Sequence, residues 1–210
     1  DDGAVTHYDD GDETGPSGLL VDQARLLGGL TTAWQVLGEP GPATEIADWT
    51  LDHLQTEGGA LLDGPTEGPG LLDRPLYPLD TAVEAADALL DLALLTGEAR
   101  YETAARRAVA VYAGAAERMG VEVAAYASVV ARLLAPTAVE VAAPAGGDLH
   151  RAALRLADHE SVVVPDAGGR TADGEPLADG TARLVVDGTP RGSADSPAAL
   201  EQLLTDRSDV

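Results

Sequence analysis

Three side chains near the starts of predicted helices have the chemistry needed for acid–base catalysis. His7 lies in the polar segment Thr6–Asp10 ahead of the first predicted helix, and Asp22 lies in the first turn of that helix. Asp80 lies at the start of a later helix. An imidazole and carboxylates that converge from neighbouring helix starts can move protons to and from a sugar. We therefore predict His7, Asp22 and Asp80 as catalytic residues, with His7 as the base and a carboxylate as the acid.

Three further side chains are predicted to bind the substrate. Arg74 and Tyr77 share a short loop, where Arg offers a forked hydrogen-bond donor and Tyr a flat face suited to a sugar or a carboxylate. Glu84 lies near the start of the same helix as Asp80.

Each of these residues also has a structural interpretation. Carboxylates near helix N-termini are stabilised by the helix dipole, so capping accounts for Asp22, Asp80 and Glu84 without catalysis. Arg74 has many acidic residues to pair with, and His7 could belong to a frayed terminus.

The remaining histidines and acidic clusters do not predict a metal site. His53, His150 and His159 have no partner at metal-ligand spacing; His53 is predicted to be packed or at the surface, and the other two solvated. The acidic run Asp9–Glu13 lacks the spacing of an EF-hand loop and is predicted to be a solvated face. No phosphate-binding loop occurs, so neither a metal nor a cofactor is predicted.

The charge composition favours a protein adapted to high salt. The chain carries 36 acidic and 13 basic residues, for a net charge of −23; every basic residue is Arg, and Ile occurs once. Dense carboxylates hold water and cations in molar salt, where the Debye length is about 3 Å and repulsion is almost fully screened. At low salt the repulsion returns and destabilises the folded state. An ordinary acidic protein from a GC-rich genome is the alternative.

Composition also excludes several classes of function. Nucleic acid and anionic membranes require clustered Lys or Arg, so neither is expected as a partner. Without Cys there is no disulfide or thiolate catalysis. No apolar run approaches the roughly 20 residues of a membrane span and no signal peptide opens the sequence, so we expect a cytoplasmic location. The sequence begins Asp1-Asp2-Gly3, and we expect a processed chain or a piece of a longer one.

Apolar residues recur at intervals of three and four over the first two thirds of the chain, which predicts helices. Gly38 and Gly97 are placed to end two of them, and Asp80 is placed to cap the start of one. The third and fifth helices are apolar around much of their circumference and should be buried on two sides. The helices are predicted at 20–37, 46–57, 80–96, 101–119 and 121–134.

A unit of helix, Gly-Glu turn and helix occurs twice. The two copies are Val21–Leu54 and Asp80–Tyr112, and a spacing of about sixty residues is typical of stacked helical hairpins. The first and third helices would then be equivalent.

After Pro136 the pattern changes to short strands. Strands are predicted at 139–141, 161–165 and 181–186, with helices at 148–157 and from Pro197, where Ser196 is the N-cap. This order implies a small mixed sheet with helices against it. The predicted fold is therefore mainly α, with a helical-hairpin domain at 1–135 and a small α/β subdomain at 136–210.

Four stretches carry a resemblance to a known family, at Gly18–Leu27, Glu57–Asp63, Arg74–Pro75 and Leu95–Tyr101. Their order resembles the C-terminal part of the thioredoxin-domain proteins related to spermatogenesis-associated protein 20. The resemblance implies an (α/α) toroid like that of six-hairpin glycosidases and N-acylglucosamine 2-epimerases. The toroid would be partial, because five helices cannot close a ring of twelve.

The resemblance implies a carbohydrate-related role, with Asp22, Arg74, Tyr77 and Asp80 lining the lumen. Two alternatives stay open: a non-catalytic interaction or scaffold module, and an active sugar isomerase, epimerase or hydrolase. The expected partners are a small sugar, a second copy of the chain, or an N-terminal part of the same protein.

Overall fold

The computed structural model describes residues 3–66, 75–114, 117, 124–172 and 174–207. About half of these residues are helical, and a small mixed sheet follows the helical part, as the sequence predicts. The chain divides into two compact units: one contains Asp1–Thr31 and Pro40–Leu133, and the other contains Thr32–Glu39 and Leu134–Val210. Within the described ranges, no helix has the length and apolar character needed to cross a membrane.

Two helices of the first part end at the glycines that were predicted to stop them. Gly38 and Gly97 adopt left-handed backbone, with φ of 78° and 80°, a conformation that favours Gly at a helix C-terminus. Their N–H groups donate to the carbonyl oxygens of Trp34 and Ala93, each at 2.8 Å. The helices described before the sheet are α1 (Leu20–Leu37), α2 (Ala43–Leu54), α3 (Leu79–Thr96), α4 (Ala99–Ala110) and α5 (Ala124–Leu134).

Three helices have boundaries that differ from those predicted. Helix α2 covers Ala43–Leu54 and so begins and ends earlier than predicted. Helix α3 begins at Leu79 with Pro78 at the N-cap position, and among the described residues no side-chain cap hydrogen bond is made there. Asp80 is therefore the second residue of the helix and not its cap. Helix α4 ends at Ala110, earlier than predicted. The expected end of that helix near Gly120 and the expected start of the next at Val121 lie outside the described residues.

The two helices that were predicted to be buried on two sides, α3 and α5, differ in how many of their residues are buried. The prediction is confirmed for α3, whose buried residues lie on most of its circumference. It is wrong for the described part of α5, which buries Val129 and Leu133 and leaves Leu134 69% exposed. The buried residues of α3 are Ala82, Val83, Ala85, Ala86, Ala88, Leu89, Leu90, Leu92, Ala93 and Leu95.

Helices α1 and α3 lie side by side and run in the same direction. Arg25 Nε is 3.5 Å from Glu84 Oε2. A Cβ atom added to Gly28 would lie 3.9 Å from the Cβ of Ala88. Because each contact joins residues at nearly the same distance from the two helix starts, the helices must be parallel.

The second unit is built on a four-stranded sheet with two helices. Its elements after α5 are β1 (Thr137–Val141), α6 (Asp148–Leu156), β2 (Val162–Val164), β3 (Thr171–Ala172), β4 (Glu175–Pro176), β5 (Ala182–Val186), β6 (Thr189–Ala194) and α7 (Pro197–Arg207). The strand order of the sheet is β2-β1-β5-β6. Strand β1 pairs parallel with β2 and antiparallel with β5, and β5 pairs antiparallel with β6, while β3 and β4 form a separate two-stranded hairpin.

Strand β6 and the β3–β4 hairpin were not predicted. Strand β6 contains Pro190 and Gly192, which are poor strand formers, so its pattern is weak. Its hairpin with β5 turns at Asp187 and Gly188, whose φ angles of 48° and 71° are both positive. A two-residue type I′ turn requires such angles, and Asp-Gly is the sequence signal for it.

The sheet packs one face against α6 and α7. Val139 of β1 and Leu184 of β5 are buried with Leu149 of α6 and Leu200 of α7 in a single apolar cluster. Helix α7 begins at Pro197, and Ser196 Oγ accepts a hydrogen bond from the N–H of Ala199 at 3.4 Å, as predicted.

His150 is fully buried, so the prediction that it is solvated is wrong. Its Nδ1 accepts the N–H of Gly146 at 2.9 Å, and its Nε2 lies 2.8 Å from the carbonyl oxygen of Gln35. Since a carbonyl only accepts, the ring proton is on Nε2 and both nitrogens are occupied. His150 thus has a structural role, whereas the His159 side chain is 91% exposed, as predicted.

Candidate functional site

The residues ahead of α1 form an irregular antiparallel hairpin. Isolated bridges join Thr6 to Ser17 and Asp9 to Thr14, and the Thr6 and Ser17 hydroxyls are 3.0 Å apart. The hairpin ends at Gly18, whose φ of +78° and lack of a Cβ allow the Trp49 ring of α2 to pack directly against it. The segment that was expected to be a frayed end or a polar loop is therefore held against the helices.

The hairpin brings His7 onto Asp22, the third residue of α1. His7 Nδ1 is 2.9 Å from Asp22 Oδ2 and 3.1 Å from Oδ1. Because a carboxylate only accepts, the Nδ1 position carries the proton, and the lone pair of the neutral ring is on Nε2. His7 Nε2 has no hydrogen-bond partner in the described part of the chain. Exposures of 49% for His7 and 19% for Asp22 leave the imidazole open to a ligand above a more enclosed carboxylate.

Tyr8 adds an aromatic face next to this imidazole. The two rings meet edge to face, with centroids 6.0 Å apart at 70°, and Tyr8 is 47% exposed. One side of its ring lies on Gly15, where an added Cβ would be 2.6 Å from Tyr8 Cδ1. From the sequence alone, Tyr8 was predicted only to be part of a polar loop. The signal that could have found it is an aromatic residue paired with Gly across a short hairpin.

The tip of the hairpin is strongly acidic. Asp10 Oδ1 accepts the N–H groups of Glu13 at 2.8 Å and Asp12 at 3.0 Å. These bonds, that of Glu13 first, lower the pKa of the Asp10 carboxyl, because they stabilise its ionised form. The Asp10 carboxylate therefore keeps its charge, three residues along the hairpin from His7.

Residues of the loop between α2 and α3 connect the N-terminal ends of α1 and α3 through hydrogen bonds. The N–H of Leu20 donates to the carbonyl oxygen of Asp63 at 3.0 Å. Asp63 Oδ1 accepts the N–H of Leu76 at 2.8 Å, three residues before α3 begins. Both helices thus start at the same end of the first unit, where His7 and Asp22 meet.

The other predicted site residues do not share the contact between His7 and Asp22. Asp80 is exposed, and among the described residues it makes no ion pair. Glu84 is exposed and pairs with Arg25, and Tyr77 is 53% exposed in the loop before α3. Arg74 lies outside the described residues.

Two charge clusters in the first unit connect helices to one another. Arg132 of α5 binds Asp87 and Asp91 of α3, with Arg132 Nη2 at 2.6 Å from Asp91 Oδ1. Burial raises the pKa of the Asp91 carboxyl, and the Arg132 charge opposes that shift. Arg100 of α4 similarly binds Asp48 of α2 at 2.8 Å. In both clusters the carboxylates are occupied by Arg, which favours a structural role.

The second unit contains a third charge cluster and an open hollow. Glu140 and Arg183 are directly opposed on β1 and β5, and Arg183 Nη2 is 2.6 Å from Glu140 Oε2. The hollow, of about 390 Å³, lies beside β1. Its lining residues are Ala142, Ala143, Pro144, Asp166, Gly168, Asp179 and Gly180. Across the described residues of the whole chain, no three His or acidic side chains are grouped to hold a metal ion.

Comparisons of the chain with protein-family models, with curated proteins and with solved structures gave no match.

Proposed function

We propose that the first unit is part of an (α/α) toroid and acts on a sugar, with His7 as the base that removes a proton and Asp22 as the residue that orients it. The observation that carries this proposal is the 2.9 Å contact from His7 Nδ1 to Asp22 Oδ2, with Nε2 left open. A carboxylate that holds one imidazole nitrogen protonated makes the other a proton acceptor, as in general-base sites.

Support for a toroid comes from the parallel arrangement of α1 and α3. Hairpins that repeat along a ring place equivalent helices parallel and start them at the same end. The Arg25–Glu84 pair bridges the two helices. Asp63 accepts hydrogen bonds both from Leu20, at the start of α1, and from Leu76, just before α3. We also propose that the chain is related to the thioredoxin-domain proteins that its sequence resembles.

A neutral polyhydroxy ligand fits the surroundings of His7 best. The exposed face of Tyr8 offers a flat apolar surface for the C–H groups of a sugar ring. The Thr6 and Ser17 hydroxyls can donate and accept hydrogen bonds. The carboxylates of Asp9–Glu13 repel phosphorylated or carboxylated sugars, so an uncharged sugar is the substrate class that we propose.

Among reactions on sugars, isomerisation or epimerisation is favoured over glycoside hydrolysis. Most glycosidases use two carboxyl groups that flank the scissile bond, one as acid and one as nucleophile or base. Here the Asp22 carboxylate is bound to His7. A single oriented imidazole is suited to removing a proton from the carbon next to a carbonyl group.

Solvent-proton exchange tests this function. The protein would be incubated in D₂O and molar KCl with neutral aldoses, ketoses and N-acetylhexosamines, and deuterium at the carbon next to the carbonyl followed by NMR. We expect His7→Gln to slow exchange by about 10²-fold or more, and the matched control His159→Gln, at an exposed site of the second unit, to leave it unchanged. Exchange that proceeds equally in wild type and His7→Gln would exclude His7 as the base.

An interaction module is the second candidate function. Helix α5 is apolar, yet of its described side chains only Val129 and Leu133 are buried, and Leu134 is 69% exposed. Such a surface favours covering by a second copy of the chain or by another part of the same protein. Size-exclusion chromatography in molar KCl tests this: a monomer at all concentrations would count against it.

A further inference from the structure

Gln23 is a fully buried amide on the residue that follows Asp22 in α1. Its Oε1 accepts the N–H of Val5 at 2.6 Å. Its Nε2 donates to the carbonyl oxygen of Gly3 at 3.1 Å and to Thr50 Oγ1 at 3.1 Å. One side chain of α1 thus binds both the hairpin backbone and helix α2.

The surroundings allow only one orientation and one chemical type of side chain here. The Thr50 hydroxyl donates to the carbonyl oxygen of Ile46 at 2.7 Å, so its oxygen faces Gln23 as an acceptor. The Gly3 carbonyl is also an acceptor, and the Val5 N–H is a donor. An amide satisfies all three, whereas a carboxylate would place a negative oxygen against two acceptors without a proton between them.

We infer that Gln23 is a positioning residue for His7. The catalytic consequence of this role rests on the proposed function. Val5, which Gln23 holds, lies two residues before His7, and Asp22 lies one residue before Gln23. Consecutive residues of α1 therefore fix the hairpin backbone and the imidazole that it carries. If the backbone at Val5 shifts, His7 Nδ1 leaves the Asp22 carboxylate and the ring proton is no longer confined to Nδ1.

The state of the His7 ring can be read directly by ¹⁵N NMR of the imidazole nitrogens, without any substrate. In the wild type we expect the neutral ring to carry its proton on Nδ1. In Gln23→Glu and in Gln23→Met we expect the ratio of the Nδ1–H to the Nε2–H tautomer to fall by roughly threefold or more, as expected for losing a buried hydrogen bond.

Milder variants keep the test decisive if Gln23 substitutions unfold the protein. Thr50→Val removes one of the three hydrogen bonds of Gln23 and should lower the tautomer ratio by a smaller amount. Thr50→Ser keeps the hydroxyl and should keep the wild-type ratio. Tyr101→Phe, which removes a partly buried hydrogen bond elsewhere in the first unit, is the matched control and should leave the His7 signals unchanged.

The outcomes separate this inference from the proposed function. A wild-type tautomer ratio in folded Gln23→Met and Thr50→Val would overturn the positioning role, whatever the sugar assay gives. A lowered ratio in those variants supports it even if wild-type protein exchanges no sugar proton, a result that would overturn only the proposed function. If Tyr101→Phe lowers the ratio equally, the effect is general destabilisation and the inference is wrong.

Discussion

Arg25 and Glu84 face each other across α1 and α3, and each is the sixth residue of its helix. Both side chains are largely exposed, at 70% and 48%, so the pair itself contributes little to stability. Together with the contact between Gly28 and Ala88, the pair indicates that the two helices run in the same direction. Asp22 and Asp80, at the third and second positions of the same helices, consequently lie on equivalent turns.

The contact between Gly28 and Ala88 tests this packing. An Ala at position 28 would bring its Cβ to ordinary contact distance, 3.9 Å, from Ala88, so we expect Gly28→Ala to gain up to about 1 kcal/mol from helix propensity. Gly28→Leu would force the helices apart and should cost about 1–3 kcal/mol. Denaturant unfolding in high salt measures both.

Gly29 provides the matched control, because a Cβ there would lie within 4 Å of none of the residues that the structure describes. Both Gly29→Ala and Gly29→Leu should stabilise the helix by a few tenths to about 1 kcal/mol. If Gly28→Leu were as well tolerated as Gly29→Leu, the close packing of α1 on α3 would be refuted.

The Tyr101 hydroxyl gives a prediction for alkaline pH. Burial, followed by the hydrogen bond to Asp48 at 2.8 Å, raises the pKa of the Tyr101 phenol above its ordinary value. Between the pKa of about 10 in the unfolded chain and the higher folded value, the unfolded state loses the proton first. The free energy of unfolding should therefore fall as pH rises above about 10.

Replacing Tyr101 by Phe should remove its share of that alkaline loss while lowering stability at pH 8 by about 1 kcal/mol. Burial also raises the pKa of Tyr112, so Tyr112→Phe is the natural comparison and should keep the Tyr101 contribution. Parallel pH profiles for wild type and Tyr101→Phe would contradict the prediction.

Local sequence signals predicted the helices and three of the strands, but neither β6, the β3–β4 hairpin nor the contacts that build the site. Gly38 and Gly97 ended their helices as expected, because a left-handed C-terminal residue is a property of a few neighbouring residues. By contrast, the pairing of His7 with Asp22 depends on a hairpin held by Gln23, sixteen residues after His7, and by the more distant Trp49. Periodicity also misjudged His150, since its burial depends on an acceptor from distant Gln35.

Arg183 should be among the most sensitive positions of the second unit. Its side chain is 7% exposed and that of Glu140 12%, and Arg183 also donates to the carbonyl oxygens of Arg170 and Glu175 at 3.1 and 2.9 Å. Arg183→Met would leave a buried carboxylate with its closest partner removed. We expect a loss of about 3 kcal/mol in the free energy of unfolding.

The double variant Arg183→Met/Glu140→Leu separates charge from packing. It should recover part of the loss, because no buried carboxylate remains without its closest partner. It should not recover all of it, because two carbonyl oxygens lose their donor and Arg170, 3.5 Å from Glu140, loses that carboxylate. A double variant as unstable as the single one would show that the Glu140 charge is not the cause.

Salt dependence follows from the net charge of −23. In about 0.1 M KCl the Debye length is near 10 Å, so carboxylates repel one another over the surface, whereas molar KCl shortens it to about 3 Å. We expect the free energy of unfolding to rise with KCl by a few kcal/mol, a large part of the ~5–15 kcal/mol typical of folded proteins. Exposed ion pairs such as Arg25–Glu84 weaken over the same range, but their contribution is small.

The hairpin tip offers a way to tell screening from a general effect of solute. Asp12→Asn with Glu13→Gln removes two charges and keeps the Asp10 side chain that accepts their N–H groups. This variant should be more stable than wild type at low salt and gain less from KCl, while sucrose should affect both equally. A stability that falls as KCl rises would mean that attractive ion pairs outweigh repulsion, which would remove the physical basis for salt adaptation.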